Sequence, residues 1–244
     1  MTSINRPMKN KKINFLTINQ KKISQKKFKV GIVGLGYTGL PLAISIKIKG
    51  FEVFGFDIDI KKISKLKKGI SYINRIKNSD INKFNKKLFF SNFKNIHFCD
   101  VVIICVPTPL NAKNKPDLTF IKNTFKSIFP FLKDGQTLIL ESTSYPGTTY
   151  DHIVKVLNKN FIIGKEIFVG FSSERIDPGI NDNKIQKIPK VVSGYSKFCL
   201  EVVSKFYEKH FTKIFKSDSL LIAEFSKLLE NVYRSVNISF INEM

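Results

Sequence analysis

The sequence predicts an α/β fold, in which helices cover both faces of a doubly wound, mostly parallel sheet. Three observations support this class. Short apolar runs such as Val101–Val106 are continuous rather than alternating, as is typical of strands buried on both faces of a parallel sheet. Segments with a helical period separate these runs, so successive strands are joined by helical crossovers. The final stretch, Ser219 to Met244, keeps its helical period with no strand after it, which predicts one long closing helix.

The predicted elements alternate along the chain, and glycines mark two of the helix ends. Helix Leu40–Lys49 stops at Gly50, and a helix from about Asp59 to Lys68 stops at Gly69. The predicted strands are Lys29–Val33, Glu52–Asp57, Val101–Val106, Gln136–Glu141, Ile167–Ser172, Lys190–Ser193 and Thr212–Phe215. The remaining predicted helices are Leu118–Phe131, Thr149–Leu157, Lys197–Lys209 and Ser219–Met244, while residues 70–90 are predicted as loop with one further helix within residues 76–87.

A glycine-rich turn joins the first predicted strand to the first helix of the sheet. Gly34, Gly36 and Gly39 form G-x-G-x-x-G in the order strand, glycines, helix. In that order the first glycine permits the tight turn, the second lets the backbone approach a pyrophosphate, and the third lets helix and strand pack closely. Asp57 ends the next strand about 20 residues later, where a carboxylate accepts hydrogen bonds from an adenosine ribose. The pattern predicts a Rossmann-like site for NAD rather than NADP, because the acid would repel a 2′-phosphate; the alternative is a glycine-rich turn without a ligand.

Composition narrows the class of protein. The chain has 244 residues, 43% of them hydrophobic, and no run approaches the 18 apolar residues of a membrane span. The basic N-terminus lacks the long apolar core of a signal peptide, so we expect a cytoplasmic protein. Cys99, Cys105 and Cys199 have no metal-binding spacing, and Cys105 lies in an apolar run as a core thiol would; no metal site is predicted.

The net charge of +22 has two interpretations. Basic proteins often bind nucleic acid or a membrane surface. Here the lysines are dispersed along the whole chain, which favours a compositional bias with solvated lysines, and therefore neither a nucleic-acid nor a membrane partner. The resulting positive field would still attract a phosphorylated substrate.

The pattern divides the chain into three regions. Residues 1–27 are polar and lysine-rich, and we expect a basic N-terminal arm that contains at most a short, marginal helix within residues 15–27. Residues 28–216 carry the alternating strands and helices of the dinucleotide-binding domain. Residues 217–244 begin a second, helical domain, and because the sequence stops inside a strongly patterned helix we expect it to be a piece of a longer chain.

Five further motifs occur in order at the predicted strand ends and on the last helix. They are VPTPL at 106–110, PDL at 116–118, ESTSYPGTT at 141–149, SSERIDPG at 172–179 and AEFSKLLENVYRSVNISFINE at 223–243. With the glycine pattern, this ordered set closely resembles the UDP-glucose/GDP-mannose dehydrogenase family, nearest to its branch acting on UDP-N-acetylhexosamines. The resemblance implies an NAD-dependent, four-electron oxidation of a sugar C6 alcohol to a carboxylate, in the supply of surface polysaccharide or lipopolysaccharide precursors. It also implies that the last helix starts a central dimerisation domain.

The resemblance also implies roles for individual residues. Thr143 would order a catalytic water, Glu174 would act as a base or water-positioning group, Lys227 would stabilise the substrate oxyanion, and Asn231 would help to position water or substrate. The implied cofactor-binding residues are Gly34, Gly36, Tyr37, Thr38, Gly39, Asp57, Val106, Pro107, Thr108, Ser142 and Thr143.

Structural explanations compete with each of these roles. Thr108 could only cap its loop, Thr143 could cap a helix, and Glu174 could pair with neighbouring Arg175. Lys227 and Asn231, spaced i, i+4, could belong to a solvated stripe, and Glu224 with Lys227 could form a plain surface pair.

The sequence departs from the family pattern in two ways. Ser173 stands where the family usually has proline, and no cysteine falls at the position of the family nucleophile, which lies further downstream. We therefore expect this chain alone to bind NAD without completing the oxidation. UDP-N-acetylglucosamine is the predicted substrate, with UDP-glucose and the other UDP-N-acetylhexosamines as alternatives, and a catalytically incomplete NAD-binding fragment as the other alternative. The apolar face of the last helix, including Phe225, Leu229 and Val232, predicts a homodimer.

Overall fold

A computed structural model describes residues 14–173 and 188–244 of the chain. Its centre is one eight-stranded sheet with the strand order β3-β2-β1-β4-β5-β6-β7-β8. The strands are β1 (Val30–Val33), β2 (Val53–Phe56), β3 (Phe89–Phe90), β4 (Val101–Ile104), β5 (Thr137–Leu140), β6 (Phe168–Phe171), β7 (Lys190–Gly194) and β8 (Ile214–Ser217). Every neighbouring pair is parallel except β6 with β7. The predicted doubly wound, mostly parallel fold is confirmed, and its first six strands follow the Rossmann order.

Helices cover both faces of this sheet. They are α1 (Phe15–Ser24), α2 (Gly39–Ile48), α3 (Ile60–Lys67), α4 (Asn78–Ile81), α5 (Thr119–Ile128), α6 (Lys155–Leu157), α7 (Lys197–Glu208) and α8 (Leu220–Glu243). Short 3-10 turns lie at Lys86–Leu88, Lys94–Phe98 and Phe129–Phe131, and a π-helical turn at Tyr150–Val154 precedes α6.

Two apolar clusters, one on each face, form the core. Alternate residues of the central strands belong to different clusters, since Ile32 and Ile103 lie on one face of the sheet and Val102 and Ile104 on the other. Helices α1, α2, α3 and α7 contribute to the first cluster, while α5, α6 and the first turn of α8 contribute to the second. Because every residue of β1, β2, β4, β5 and β6 is buried, the continuous apolar runs of the sequence are explained by burial on both faces.

The N-terminal helix is part of the folded unit. Ile23 of α1 is fully buried, and the Asn19 side chain donates a hydrogen bond of 2.8 Å to the Gly135 carbonyl. Lys22 lies 2.6 Å from Asp100. The marginal helix expected within residues 15–27 is therefore present, and it packs on the sheet domain rather than leaving the whole of residues 1–27 as a separate arm.

The structure corrects two predicted elements and adds one strand that was not predicted. Residues 76–87 contain only the one-turn helix α4 and part of a 3-10 turn, followed by the unpredicted strand β3. This strand was missed because it has two residues, and no periodicity can be read from so short a segment; its Phe89 and Phe90 pair with Gly55 and Phe56. Strand β8 begins two residues later than predicted, on an edge of the sheet where its residues are not fully buried and the apolar pattern is weak.

The closing helix α8 is confirmed, with Ser219 as its N-cap, since the Ser219 hydroxyl accepts a hydrogen bond from the Leu221 amide. Its buried residues are Leu220, Ala223 and Glu224, all in its first two turns, and most of its remaining length is exposed. Among the helices in residues 14–173 and 188–244, none is long and apolar enough to cross a membrane.

Candidate functional site

The glycine-rich turn leaves β1 and enters α2 at the point where the order of the sheet reverses. Strand β1 lies between β2 and β4. The sheet therefore extends from β1 in one direction through β2 and β3, and in the other direction from β4 onwards. In open α/β sheets, ligands bind at such a switch point, beyond the carboxyl ends of the strands. Gly34 adopts a φ of +93°, which L-residues with side chains rarely take, and its amide donates to the Phe56 carbonyl of β2 at 2.8 Å.

The three glycines have different surroundings. A Cβ atom at Gly39 would lie 1.9 Å from the Gly34 carbonyl oxygen, and one at Gly34 would lie 2.7 Å from the Cys105 carbonyl oxygen. A Cβ atom at Gly36 would meet nothing within 4 Å. Gly34 and Gly39 are therefore required by packing within the protein, whereas Gly36 borders open space, as a close approach of ligand phosphates to the backbone requires.

The Asp57 carboxylate is held at the end of β2 by main-chain amides. Its Oδ2 accepts a hydrogen bond of 2.9 Å from Leu35 N–H in the glycine-rich turn, and its Oδ1 accepts one of 2.9 Å from Asp59 N–H. Lys62 Nζ lies 3.4 Å from Oδ2. The carboxylate is 7% exposed, so it is fixed in orientation while it still faces a cleft.

A cleft of about 540 Å³ runs from Asp57 across the glycine-rich turn to the end of β4. Its lining is Val33, Gly34, Gly36, Tyr37, Thr38, Phe56, Asp57, Ile58, Asp59, Lys62, Phe93, Cys105, Val106, Pro107, Phe120 and Thr124. The lining is mostly apolar with a few placed polar groups, which is the usual character of a cofactor site.

A smaller cavity of about 130 Å³ adjoins the cleft and contains the ends of β4 and β5. It is lined by Thr38, Cys105, Val106, Pro107, Thr108, Glu141, Ser142 and Thr143, so the first four of these border both spaces. The Ser142 hydroxyl donates to the Val106 carbonyl at 2.6 Å and thereby joins the loops after β4 and β5. Thr143 is exposed to the cavity, and the helical turn after this loop begins at Tyr150 with Thr149 before it, so Thr143 does not cap that helix.

These features fit a dinucleotide. The open space over Gly36 lies at the start of α2, where free N–H groups and the helix dipole favour an anion. Asp57 lies at one end of the cleft, suited to ribose hydroxyls, and the smaller cavity opens at the other end. The structure thus places all of the predicted cofactor-binding residues except Gly39, which packs against the Gly34 carbonyl, around two adjoining spaces.

The predicted catalytic residues are not all gathered there. Lys227 and Asn231 lie on α8, are half-buried, and line neither space. Glu174 and its neighbour Arg175 lie outside the described residues.

The alternative interpretation of Glu224 and Lys227 as a plain surface pair is wrong for Glu224. This carboxylate is fully buried and accepts hydrogen bonds from Gly147 N–H at 2.6 Å and from Thr149 N–H at 2.8 Å. It therefore joins α8 to the loop that carries Thr143. A surface interpretation failed because the i, i+3 spacing alone does not say which face of the helix is covered.

Sequence reasoning missed two polar residues of the site. Lys62 lies in the first turn of α3, directly after the strand that ends at Asp57, and this proximity was a usable signal. Glu141 was recognised as part of a motif but given no role. It lines the smaller cavity, lies 3.1 Å from Lys190 Nζ, and accepts a short hydrogen bond from Tyr207. Only the fold brings β7 and α7 beside the end of β5, so no local signal indicated this cluster.

Known proteins with similar sequences are nucleotide-sugar dehydrogenases. The chain is 37% identical over 222 residues to the UDP-N-acetyl-D-glucosamine 6-dehydrogenase of Pseudomonas aeruginosa. The matched region covers 90% of this chain and 52% of that protein. It is 37% identical over 225 residues to the UDP-N-acetyl-D-mannosamine dehydrogenase of Methanocaldococcus jannaschii, with 88% of this chain and 50% of that protein covered. The chain thus spans about half the length of these curated relatives.

A similar fold occurs in the native structure of the UDP-N-acetyl-mannosamine dehydrogenase Cap5O from Staphylococcus aureus. The TM-score is 0.77 with 34% sequence identity, over 88% of this chain and 53% of that one. Residues 28–211 also match the NAD binding domain of the UDP-glucose/GDP-mannose dehydrogenase family. This match covers most of the chain and contains the whole cleft described above, so the protein belongs to the UDP-glucose/GDP-mannose dehydrogenase family and carries its NAD-binding domain.

Proposed function

We propose that this chain is the cofactor-binding part of an NAD-dependent UDP-N-acetylhexosamine 6-dehydrogenase, with UDP-N-acetylglucosamine as the substrate. The observation that carries the proposal is the continuity of the site. The cleft that begins at Asp57 passes over Gly36 and meets, at Thr38 and Val106, the smaller cavity that Thr143 lines. One ligand can therefore have its ribose at the acid and its reactive end beside a hydroxyl that both donates and accepts hydrogen bonds.

The reaction is the four-electron oxidation of a sugar C6 alcohol to a carboxylate, in which two NAD⁺ bound in succession would each accept one hydride and a water molecule would supply the second carboxylate oxygen. The residues of the chain bind and orient. The amides at the start of α2 hold the pyrophosphate, and Asp57 accepts hydrogen bonds from ribose hydroxyls. In this proposal Thr143 orders a water molecule and Glu174 acts as a base or positions water. Lys227 stabilises the substrate oxyanion, and Asn231 helps to position water or substrate. An ammonium group aimed at a developing alkoxide is an effective electrostatic catalyst.

A second candidate function is an NAD-binding chain that does not itself complete the oxidation. The three cysteines support it: Cys99 and Cys199 are fully buried, and Cys105 is 6% exposed. Burial raises the pKa of the Cys99 thiol, which keeps it in the unreactive protonated form. UDP-glucose as the substrate is the weaker alternative, since the two relatives above are named for N-acetylated sugars.

We further propose a homodimer formed through α8, in a protein that supplies precursors of surface polysaccharide or lipopolysaccharide from the cytoplasm. Phe225, Leu229 and Val232 are each about half exposed on α8, and a large exposed apolar surface is typical of an interaction site. Size-exclusion chromatography with light scattering tests this assembly. A stable monomer at micromolar concentration would contradict it, and Val232→Glu should weaken any dimer found.

Calorimetric titration with NAD⁺ tests the function. We expect the chain to bind NAD⁺, and Asp57→Ala to weaken binding about tenfold or more, because the ribose loses its acceptor and Leu35 N–H loses its partner. Asp80→Ala, which removes a partly exposed acid of α4 that pairs with Lys83, is the control and should bind as the parent does. Absence of NAD⁺ binding would overturn the proposal.

NADH formation with UDP-N-acetylglucosamine, UDP-N-acetylmannosamine and UDP-glucose then identifies the substrate. The assay uses the 244-residue chain beside the longest product of the same gene. The first function is supported if only the longer product forms two NADH for each UDP-N-acetylglucosamine. Turnover to the carboxylate by the 244-residue chain would overturn the second. Preference for UDP-glucose would overturn the choice of substrate.

A further inference from the structure

Two carbonyl groups of the glycine-rich turn receive hydrogen bonds from outside the turn. The regular helical partner of the Tyr37 carbonyl would be the N–H of residue 41, but residue 41 is proline and has none. The guanidinium of Arg75 takes this place, with Nη2 donating to the Tyr37 oxygen at 2.9 Å. The Tyr72 hydroxyl donates to the Leu35 carbonyl at 2.5 Å. Both donors come from the segment between α3 and α4, which no predicted site residue occupies.

These bonds act on the peptide groups that border the cofactor cleft. Leu35 is held from both sides, because its N–H donates to Asp57 and its carbonyl accepts from Tyr72. Tyr37 lines the cleft between Gly36 and Thr38, at the start of α2. Fixing the Leu35 and Tyr37 carbonyls in this way fixes the planes of the Leu35–Gly36 and Tyr37–Thr38 peptides, and hence the directions of the Gly36 and Thr38 amides that would face a phosphate.

Apolar packing holds the segment between α3 and α4 on the protein independently of the Arg75 and Tyr72 hydrogen bonds. Ile73 and Ile76, which flank the two donors, are only 3% and 4% exposed and belong to the apolar cluster under α2 and α3. Arg75 itself is half-buried. Burial and the neighbouring Asp57 and Asp59 raise the pKa of Tyr72, so its hydroxyl remains a donor.

We propose that Arg75 and Tyr72 are positioning residues for the pyrophosphate of the bound dinucleotide. They orient the glycine-rich turn through its carbonyls, and Arg75 also brings a positive charge to the wall of the phosphate site. The proposal rests on binding of NAD in this cleft and is independent of which sugar is oxidised. It assigns a binding role to a stretch of chain that lies outside the glycine motif.

Isothermal titration of the 244-residue chain with NAD⁺ and ADP, and ligand-observed NMR titration with adenosine, test it. The variants are Arg75→Met and Tyr72→Phe, which keep most of the side-chain volume, and Arg75→Lys, which keeps the charge. The matched control is Lys77→Met, which removes a charge from an exposed residue of the same segment. A thermal melt of each protein without ligand accompanies every titration.

We expect Arg75→Met to weaken NAD⁺ and ADP about tenfold and adenosine less than twofold, because adenosine carries no phosphate. Tyr72→Phe should act in the same direction more weakly, and Arg75→Lys should recover part of the affinity. Lys77→Met should bind as the parent does.

Unchanged ADP affinity in Arg75→Met would overturn the inference while leaving the cofactor site intact. An equal loss for adenosine and ADP would also overturn it, because the residue would then be only structural. An equal loss in Lys77→Met would do the same, because net charge alone would explain the effect. A parent chain that fails to bind NAD⁺ would instead overturn the proposed function, and this inference with it.

Discussion

Thr149 donates two hydrogen bonds to one carboxylate oxygen of Glu224, from its main-chain N–H at 2.8 Å and from its hydroxyl at 2.6 Å. Gly147 N–H donates to the other oxygen at 2.6 Å. Burial raises the pKa of Glu224, against these hydrogen bonds, which lower it. The contact joins the loop that carries Thr143 to the helix that carries Lys227 one turn later, so it links the cofactor domain to α8.

Removing the Thr149 hydroxyl should therefore loosen the attachment of α8. In Thr149→Val the shape of the side chain is kept, but a buried carboxylate oxygen loses one of its two donors. We expect the free energy of unfolding to fall by about 2 kcal/mol, the usual effect for a hydrogen bond to a charged group. Urea denaturation measures it. Thr17→Val, on an exposed position of α1, is the control and should change stability by less than about 0.5 kcal/mol. Equal stability of the two variants would contradict the assignment.

Alanine substitutions should separate the two kinds of glycine in the turn. In Gly39→Ala the new Cβ would lie 1.9 Å from the Gly34 carbonyl oxygen, so the backbone must move and the melting temperature should fall steeply. In Gly36→Ala nothing lies within 4 Å, so the protein without ligand should melt as the parent does while NAD⁺ affinity falls at least about tenfold. Differential scanning fluorimetry and calorimetry give both quantities. Normal NAD⁺ binding by Gly36→Ala would show that phosphates do not approach this backbone.

Stability should depend on pH through His210. This ring is packed between Phe51 and Phe206, and its Nδ1 lies 2.7 Å from the Phe206 carbonyl. Burial, with smaller effects of Lys49, Lys190 and Lys26, lowers its pKa to about 4. Between pH 6.5 and pH 4 the unfolded chain therefore takes up a proton that the folded chain does not. The contribution of the neutral His210 ring to the free energy of unfolding is fully present above pH 6.5. It is lost as pH falls to 4, by about 3 kcal/mol in total.

The variant His210→Leu isolates this contribution. Other groups also titrate on acidification, so the informative quantity is the difference in unfolding free energy between parent and variant, measured by urea denaturation at pH 7, 6, 5 and 4. We expect the parent to lose more stability than the variant as pH falls through this window. Parallel pH profiles would mean that the imidazole is protonated in the folded protein.

The buried pair Lys190 and Glu141 predicts a non-additive double substitution. Lys190 Nζ lies 3.1 Å from Glu141 Oε1, both side chains are at most 2% exposed, and the ammonium also lies 5.3 Å from the Tyr207 ring centroid. Lys190→Met should lower the unfolding free energy by about 3–5 kcal/mol, because the buried carboxylate loses its counter-charge. Adding Glu141→Gln should recover part of that loss, since the uncompensated charge is then removed. Denaturant unfolding of the four proteins measures the coupling, and additive losses would contradict it.

The local pattern of the sequence determined the parts of the fold that repeat. The β-branched runs, their helical separators and the glycines that end helices are properties of adjacent residues, so β1, β2 and β4–β8 lie within about two residues of their predicted bounds. The cofactor site could also be predicted from the sequence. A glycine motif that follows a strand and an acid at the end of the next strand are both local features of the chain.

The tertiary structure decided everything that depends on partners distant in the chain. Strand β3 exists because Phe89 and Phe90 pair with β2, and α1 is part of the domain because Asn19 reaches Gly135. The burial of Glu224 and the pairing of Glu141 with Lys190 require loops and strands that are far apart in sequence to meet. A residue's type and spacing show what it can bond to, but burial and the identity of its partner are set only when the sheet and its helices close around it.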